Sequence, residues 1–269
     1  MMPRQGAKIS KPAMSQEQLP ERLSAAAIVS VRNEESTIAE VIRELKLLPL
    51  KEIIVVINGS TDGSYPIASR IDGIVIVQFS EPLGHDVGRA VGAKMTQADI
   101  LLFVDGDIPI PASKLAPFLA AVHRGADLAL NDITPLLGPF SRWDDVSRVK
   151  AFLNRSLGRA ELGAASMTAV PHAISRRALE TIGVRTLVVP PKAQAVAMRS
   201  GLRVELCRAV DVMNRNKRRE SNEGKDNPVA RMIVGDHIEA LQEAMNSGGS
   251  RLGMVDAVRR RDAIGGRGI

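Results

Sequence analysis

The sequence predicts an α/β fold in which a mostly parallel sheet carries helices on both faces. Three observations predict it: short apolar runs bounded by turn residues, little alternation of polarity within each run, and helical segments between the runs. Apolar residues make up 45% of the 269 residues and aromatic residues only 3%, so the core must be built from Ala, Val, Ile and Leu. A chain of this length suits one principal domain, because single cores grow to about 250 residues.

Four apolar runs, rich in Ile, Val and Leu, predict buried strands at residues 25–31, 52–57, 73–77 and 99–104. Helical spacing of apolar residues predicts helices between and after them, at 34–48, 87–95, 112–122, 144–157 and 175–182, after Pro190, and at 228–245, with a strand at 202–206. Asn33 is a candidate N-cap of the first helix, with Glu34 and Glu35 in its first turn. The order strand, helix, strand predicts a doubly wound, Rossmann-like sheet.

Composition limits the classes of function. Cys207 is the only cysteine, which excludes an intramolecular disulfide and a cysteine-rich metal site and suits a reducing, cytoplasmic location. The net charge of +6 comes largely from basic runs at 215–219 and 259–261, which suit phosphate-bearing ligands, contact with an anionic membrane surface, or simply a solvated tail. Nucleic acid is a poor fit, because the chain has few aromatic residues that could stack on bases.

The chain divides into three predicted regions. Residues 1–24 contain three prolines among polar residues and predict a flexible arm without a signal peptide. Residues 25–246 form the predicted domain, and residues 247–269 form a mobile basic tail. No run approaches the roughly 18 apolar residues that a membrane helix needs.

Ligands of doubly wound sheets bind at the carboxyl ends of strands, which draws attention to the loops after the predicted strands. The loop 30–35 contains Arg-Asn-Glu-Glu, and the loop 58–64 reads Asn-Gly-Ser-Thr-Asp-Gly-Ser. Small residues allow a close approach of the backbone to a flat ligand. Each loop taken alone is equally consistent with an ordinary strand-to-helix turn, and the two glutamates with a helix N-terminus.

The fourth predicted strand ends in Asp105-Gly106-Asp107. Two carboxylates separated by one small residue, at the end of a buried strand, are able to bind one divalent cation directly or through water. An acidic pair in a tight turn also occurs by chance. The order of the three loops along the chain is the stronger indication.

Residues 25–111, with these three loops in this order, resemble the nucleotide-binding half of family 2-type glycosyltransferases of the GT-A fold, including glucosyl-3-phosphoglycerate synthases. The resemblance implies a nucleotide-sugar-binding half at 25–111 and an acceptor half at 112–246. It implies Mn²⁺ or Mg²⁺ as cofactor, a nucleoside-diphosphate sugar, expected to be a UDP-sugar, as donor, and a small-molecule, lipid-phosphate or glycan acceptor. Assembly of the chain into a homodimer is a further hypothesis.

The resemblance also assigns residues. The segment 84–89 looks like the family's stretch near the donor. The residues expected to bind the nucleotide sugar are Val31, Arg32, Asn33, Glu35, Asn58, Asp62, His85, Arg89, Asp105 and Gly106. The expected metal ligands are Asp105 and Asp107, with His237 as a further candidate because relatives often supply a late histidine; a buried, satisfied histidine is the alternative for His237. His172 is a candidate to line the acceptor site, with a loop histidine that has no chemical role as the alternative.

Two departures from the family pattern concern the chemistry. Many relatives carry Asp where this chain has Ile57 or Asn58. An Asn amide can still bind a pyrimidine edge, so this departure weakens the prediction of which nucleobase is bound more than the prediction of binding itself. The acidic pair that serves many inverting relatives as catalytic base is missing from residues 189–194, which favours a retaining enzyme. If a base is needed, the candidates are Asp144, Asp145 and Glu161.

Two other functions stay open from the sequence. A sugar-1-phosphate nucleotidyltransferase shares a similar sheet, but its first loop is usually glycine-rich, whereas residues 30–35 contain no glycine. A non-catalytic nucleotide-sugar-binding protein is consistent with the missing acidic pair.

Overall fold

The computed structural model describes residues 23–212 and 227–259. In these residues the strands are β1 (Ala25–Val31), β2 (Glu52–Asn58), β3 (Val75–Phe79), β4 (Ile100–Asp105), β5 (Leu128–Leu130), β6 (His172–Ser175) and β7 (Val204–Leu206). The helices are α1 (Ile38–Leu45), α2 (Ser64–Ala68), α3 (Val87–Lys94), α4 (Ala112–His123), α5 (Asp145–Ser156), α6 (Arg176–Ile182), α7 (Pro190–Arg199) and α8 (Pro228–Gly248). This α/β architecture confirms the predicted fold class.

The strands form one seven-stranded sheet with the order β3-β2-β1-β4-β6-β5-β7. β1 pairs in parallel with both β2 and β4, and β2 pairs in parallel with β3. β6 lies antiparallel between β4 and β5, and β7 runs parallel to β5. The carboxyl ends of β1, β2 and β4 therefore meet at one edge of the sheet, beside the change in strand order where ligands bind in such folds.

The central strands match the prediction because they are buried on both faces. Every residue of β1 from Ala25 to Val29 is buried, as are the apolar residues of β2 and β4. The apolar face of α1 is buried too, through Ile38, Val41, Ile42 and Leu45. Parallel strands covered by helices thus produce the continuous apolar runs seen in the sequence.

The first helix begins later than predicted. Asn33 is not its N-cap: the residue has a left-handed backbone (φ 59°), and α1 begins at Ile38 after Thr37. Glu34 and Glu35 consequently lie in the β1 loop rather than in the first turn of a helix. The side chain of Asn33 bonds instead to the neighbouring β2 loop, a tertiary contact that local capping rules do not anticipate.

The strand predictions also needed correction. β3 begins two residues later than expected, because it is a half-exposed edge strand whose apolar run does not mark its bounds. β5 and β6 were not predicted, since three and four residues are too short for a pattern. His172, expected in a loop, is the first residue of β6 and is buried, with its ring stacked on Phe103 of β4 (centroids 4.9 Å apart).

Helix α3 covers the strands that end at the site edge of the sheet. α3 packs on β1 and β2 through Gly88 and Gly92, and α8 packs on both α5 and α7. No helix within residues 23–212 and 227–259 is long and apolar enough to cross a membrane. The basic run 215–219, Arg260 and Arg261, and nearly all of the predicted N-terminal arm lie outside the described residues, so the predicted domain and tail bounds stay predictions.

Candidate active site

The loops that follow β1 and β2 are joined by hydrogen bonds. The Asn33 amide N–H donates to Ser60 Oγ (3.0 Å), and Asn33 Oδ1 accepts from the Thr61 N–H (2.8 Å). The Glu34 N–H donates to Ser64 Oγ at 2.8 Å. Two loops 27 to 30 residues apart in the sequence therefore form one hydrogen-bonded rim at the carboxyl edge of the sheet.

Glu35 and Asp62 complete this rim. Asp62 Oδ2 accepts from the Glu35 N–H (3.0 Å), and Glu35 Oε2 accepts from the Gly63 N–H (2.8 Å). Asp62 Oδ1 also accepts from Ser64 Oγ at 2.6 Å. Although burial acts in the opposite direction, these hydrogen bonds to the charged form lower the pKa of Asp62. The carboxylate oxygens of Asp62 thus organise the loop.

Asn58 connects the end of β2 to the loop before α3. Its Oδ1 accepts from the Leu83 N–H (2.6 Å), and its Nδ2 donates to the Gly84 carbonyl (2.8 Å). Gly59 allows this loop to approach, since its backbone is left-handed (φ 65°) and a Cβ would lie 2.5 Å from Pro82 N. Asn58 thereby positions the segment that leads through the exposed His85 to Arg89.

Arg89, on α3, is buried and makes polar contacts with three residues. Nη1 lies 2.8 Å from Asp86 Oδ1 and 3.1 Å from the Met167 carbonyl, and Nη2 lies 3.4 Å from Asp105 Oδ1. Burial disfavours the charged guanidinium, but the carboxylates of Asp86 and Asp105 outweigh it and raise the pKa of Arg89. A permanent positive charge therefore stands beside the first carboxylate of the acidic pair.

The Asp105-Gly106-Asp107 turn lies against the end of β1. The Gly106 N–H donates to the Ser30 carbonyl (2.8 Å), and the Gly106 carbonyl accepts from Thr37 Oγ1 (2.7 Å). A Cβ at Gly106 would lie 2.9 Å from Val31 Cγ2. A residue without a side chain is thus needed between the two carboxylates, and Val31 supports the turn by packing. Arg32 is exposed at the same edge.

The acidic pair fits a divalent cation shared with a substrate. Within the described residues, no group of three or more His, Cys, Asp or Glu side chains is placed to hold a metal. Two carboxylates supply too few ligands for a cage built only of protein atoms, whereas Mg²⁺ and Mn²⁺ in nucleotide enzymes use one or two carboxylates plus phosphate oxygens. The donor set of Asp105 and Asp107 is of that second kind.

His237 is not brought into such a group. It is fully buried on α8, and its Nδ1 donates to the Ile233 carbonyl of the preceding turn (2.7 Å). Burial lowers its pKa to about 4, so the ring is neutral and Nε2 carries a lone pair. The alternative weighed from the sequence, a buried histidine, describes its placement.

The three candidate bases lie around α5. Asp144 is its N-cap and accepts from the Ser147 N–H at 2.6 Å. Asp145 is exposed and pairs with Arg148, and Glu161 is exposed and pairs with Arg159. Of these, Asp144 is the one whose charge acts on the buried Lys150, which in turn is affected by Arg89.

Asp86 and Lys150 interact with Arg89 but are not among the individual residues predicted for the site, although Asp86 falls within the predicted donor-side segment 84–89. Asp86 has a left-handed backbone (φ 60°) at the start of α3 and neutralises Arg89. Lys150 occupies the buried face of α5, three residues after Ser147 and three before Leu153, both buried. The sequence did contain a sign of this burial, because Lys150 occupies a position of α5 where the helical spacing predicts an apolar residue.

Comparison with known proteins identifies the family of the chain. The family model of glycosyl transferase family 2 matches residues 26–183. Glycosyltransferase AglJ of Haloferax volcanii is 30% identical over 128 residues, which are 48% of this chain and 41% of that protein. The matched segment therefore spans less than half the length of that relative.

Solved structures of glucosyl-3-phosphoglycerate synthase from Mycobacterium tuberculosis share the fold. The complex with UDP has a TM-score of 0.61 at 17% identity, covering 87% of each chain. The complex with Mn²⁺, UDP-glucose and phosphoglyceric acid has a TM-score of 0.61 at 17% identity, covering 83% of this chain and 81% of that one. Identities this low show the fold alone, which confirms the predicted GT-A architecture. By the match to its family model over more than half its length, the chain belongs to glycosyl transferase family 2.

Proposed function

We propose that this chain transfers a sugar from a UDP-sugar to an acceptor hydroxyl, with Mn²⁺ or Mg²⁺ held by Asp105 and Asp107. The observation that carries the proposal is the position of this acidic pair, at the end of β4 beside the joined loops of β1 and β2. Family membership supports the chemistry. The relatives of similar fold were solved with UDP-glucose and Mn²⁺, or with UDP and Mg²⁺.

The residues divide the task as follows. The rim formed by the β1 and β2 loops binds the nucleoside, and the segment held by Asn58 lies along the diphosphate. Breaking the anomeric bond leaves negative charge on the diphosphate, and a bound divalent cation would supply Lewis-acid stabilisation of it. Arg89 keeps Asp105 in place and adds a fixed positive charge near the leaving group. Asp144 is the candidate to take the acceptor proton if a base is used.

A thermal-shift panel of UDP-, GDP-, ADP- and dTDP-sugars, with and without Mn²⁺, tests the donor. Ligand at 100 times its Kd stabilises the folded state by about 2.7 kcal/mol, so a UDP-sugar with Mn²⁺ should raise the melting temperature most. A larger shift with a guanosine compound would contradict the choice of uridine. Release of UDP from the donor distinguishes transfer or hydrolysis from a purely binding protein, and release of pyrophosphate from UTP would indicate a nucleotidyltransferase.

The metal assignment is tested by Asp105→Asn and Asp107→Asn, alone and together. We expect both single variants to fold and to lose the Mn²⁺-dependent part of UDP binding by at least about tenfold, or roughly 1.4 kcal/mol. Asp72→Asn is the matched control, because Asp72 is exposed and precedes β3 at the opposite edge of the sheet. Metal-dependent binding that survives in the double variant would overturn the proposal.

A further inference from the structure

Lys150 is a buried cation without a hydrogen-bond partner. The residue is 8% exposed on the inner face of α5, and no residue of the described chain accepts a hydrogen bond from its Nζ. An ammonium group loses much of its hydration when it is buried, and the loss is normally offset by carboxylate or carbonyl partners. In Lys150, no such partner among the described residues offsets the lost hydration.

The surroundings of Lys150 are polar and come from three elements. Burial, opposed by the charge of Asp144 and reinforced by that of Arg89, lowers its pKa to about 8. His237 of α8, whose neutral ring is affected by the charge of Lys150, has its Nε2 buried without a partner. Lys150 and His237 thus face one another from the packed helices α5 and α8, and the charge of Lys150 interacts with that of Arg89, which contacts Asp105.

A structural role does not account for this arrangement. Asp144 Oδ1 caps α5 by accepting from the Ser147 N–H, and among the described residues Asp144 forms no ion pair with Lys150. Lys192 of α7 shows how this protein holds a structural lysine: its Nζ lies 3.1 Å from Glu239 and 3.3 Å from Glu243 of α8. Lys150 also lies on a helix that packs against α8, but it contacts neither Glu239 nor Glu243.

We propose that the Lys150 ammonium binds an anionic group, a phosphate or a carboxylate, of a substrate in the active site. The inference rests on the proposed function and extends it to a second positive charge beside Arg89. An ammonium offers three donors to oxygen acceptors and behaves as a point charge, which suits a phosphoryl or carboxyl group. That group belongs either to the diphosphate of the donor or to an anionic acceptor.

The test compares Lys150→Met with Lys150→Arg, and uses Lys192→Met as the matched control. Calorimetry measures binding of three probes: UDP with Mn²⁺, inorganic phosphate alone, and uridine. We expect Lys150→Met to weaken at least one of the two phosphate-bearing probes tenfold or more, while uridine binding stays within twofold. Lys150→Arg should retain most of the affinity, and Lys192→Met should bind all three like the wild type.

The two sources of the anion give different results. Loss of UDP binding assigns Lys150 to the donor diphosphate, and loss of phosphate binding alone assigns it to an anionic acceptor. Changes below twofold for both probes, or equal losses in Lys192→Met, overturn the proposal. If the wild type fails to bind UDP with Mn²⁺, the proposed function fails, whereas the phosphate probe still reports on Lys150.

Stability provides a second readout that a structural lysine would not give. Removing a buried charge that has no partner should raise the melting temperature of the free protein by about 2–4 °C in Lys150→Met. Lys192→Met removes two ion pairs and should not raise it. If Lys150→Met does not fold, Lys150→Gln takes its place; failure of both to fold would show that the ammonium holds the structure together and would overturn the inference.

Discussion

Single residues decide how closely the Asp105-Gly106-Asp107 turn approaches β1. Gly106 separates the two aspartates, and both of its backbone polar groups are bonded, to Ser30 and to Thr37. The space beside its Cα is filled by Val31. A hydrogen-bonded turn in contact with a buried strand end cannot move without breaking these contacts, so the glycine fixes where the carboxylates stand.

Gly106→Ala should therefore destabilise the protein and weaken metal-dependent binding. Its Cβ would meet Val31 Cγ2 at 2.9 Å and the Ser30 carbonyl at 3.3 Å. Overpacking of this kind should lower the free energy of unfolding by about 1–3 kcal/mol, which urea unfolding measures. We expect the affinity for UDP in the presence of Mn²⁺ to fall by about tenfold.

Gly235→Ala in α8 is the control for this substitution. Its Cβ would have no neighbour within 4 Å, so alanine should stabilise the helix by about 0.5–1 kcal/mol. A Gly106→Ala protein as stable as the wild type, with full UDP binding, would contradict the proposed role of the turn.

Among the helices, α3 carries the positive charge of the site because two glycines let it pack directly on the sheet. A Cβ at Gly92 would lie 2.4 Å from Ile28 Cγ2 of β1, and a Cβ at Gly88 would lie 3.3 Å from Ser30 Oγ. Both glycines face the sheet one turn apart, with Arg89 following Gly88. The close approach is what lets the Arg89 guanidinium reach Asp105 and the Met167 carbonyl.

Gly92→Ala should push α3 away from β1 and separate Arg89 from Asp105. We expect a loss of about 1–3 kcal/mol in the free energy of unfolding and weaker UDP binding measured by calorimetry. A double-mutant cycle with Ile28→Ala tests the cause, because making room in β1 should recover part of the loss, with a coupling of about 0.5–3 kcal/mol. Strict additivity of the two substitutions would exclude contact between α3 and Ile28 as the reason.

At the scale of the whole molecule, two buried histidines make stability depend on pH. Burial, with the nearby charge of Arg89, lowers the pKa of His172 to about 3, and burial lowers that of His237 to about 4. In the unfolded chain a histidine titrates near 6.5. As pH falls below about 6.5, the unfolded state therefore binds more protons than the folded state, and stability falls.

Urea unfolding at pH 7, 6 and 5 measures this effect. Each buried histidine should contribute a slope of up to about 1.4 kcal/mol per pH unit between pH 6.5 and 4, with stability higher at the higher pH. His172→Asn and His237→Asn should each lower the pH dependence of the unfolding free energy by up to about 1.4 kcal/mol per pH unit. An unchanged slope in both variants would show that neither ring stays neutral in the fold.

The strands differ in how well their positions could be predicted from the sequence. β1, β2 and β4 were predicted within a residue or two because burial on both faces leaves continuous apolar runs. The short strands β5 and β6 leave no such run, and their positions depend on distant contacts. Asn131, for example, donates to the carbonyls of Val170 and Val210 and fixes the segments that flank these strands.

The sequence by itself determined the fold class, the family and the two aspartates at the end of β4, because local apolar runs and ordered loops encode them. Only the tertiary structure decided that β6 enters the sheet antiparallel between β4 and β5, that His237 turns to its own helix, and that Lys150 is buried close to Arg89. Burial and pairing of charges depend on residues far apart in the chain, and no local pattern records which of them meet.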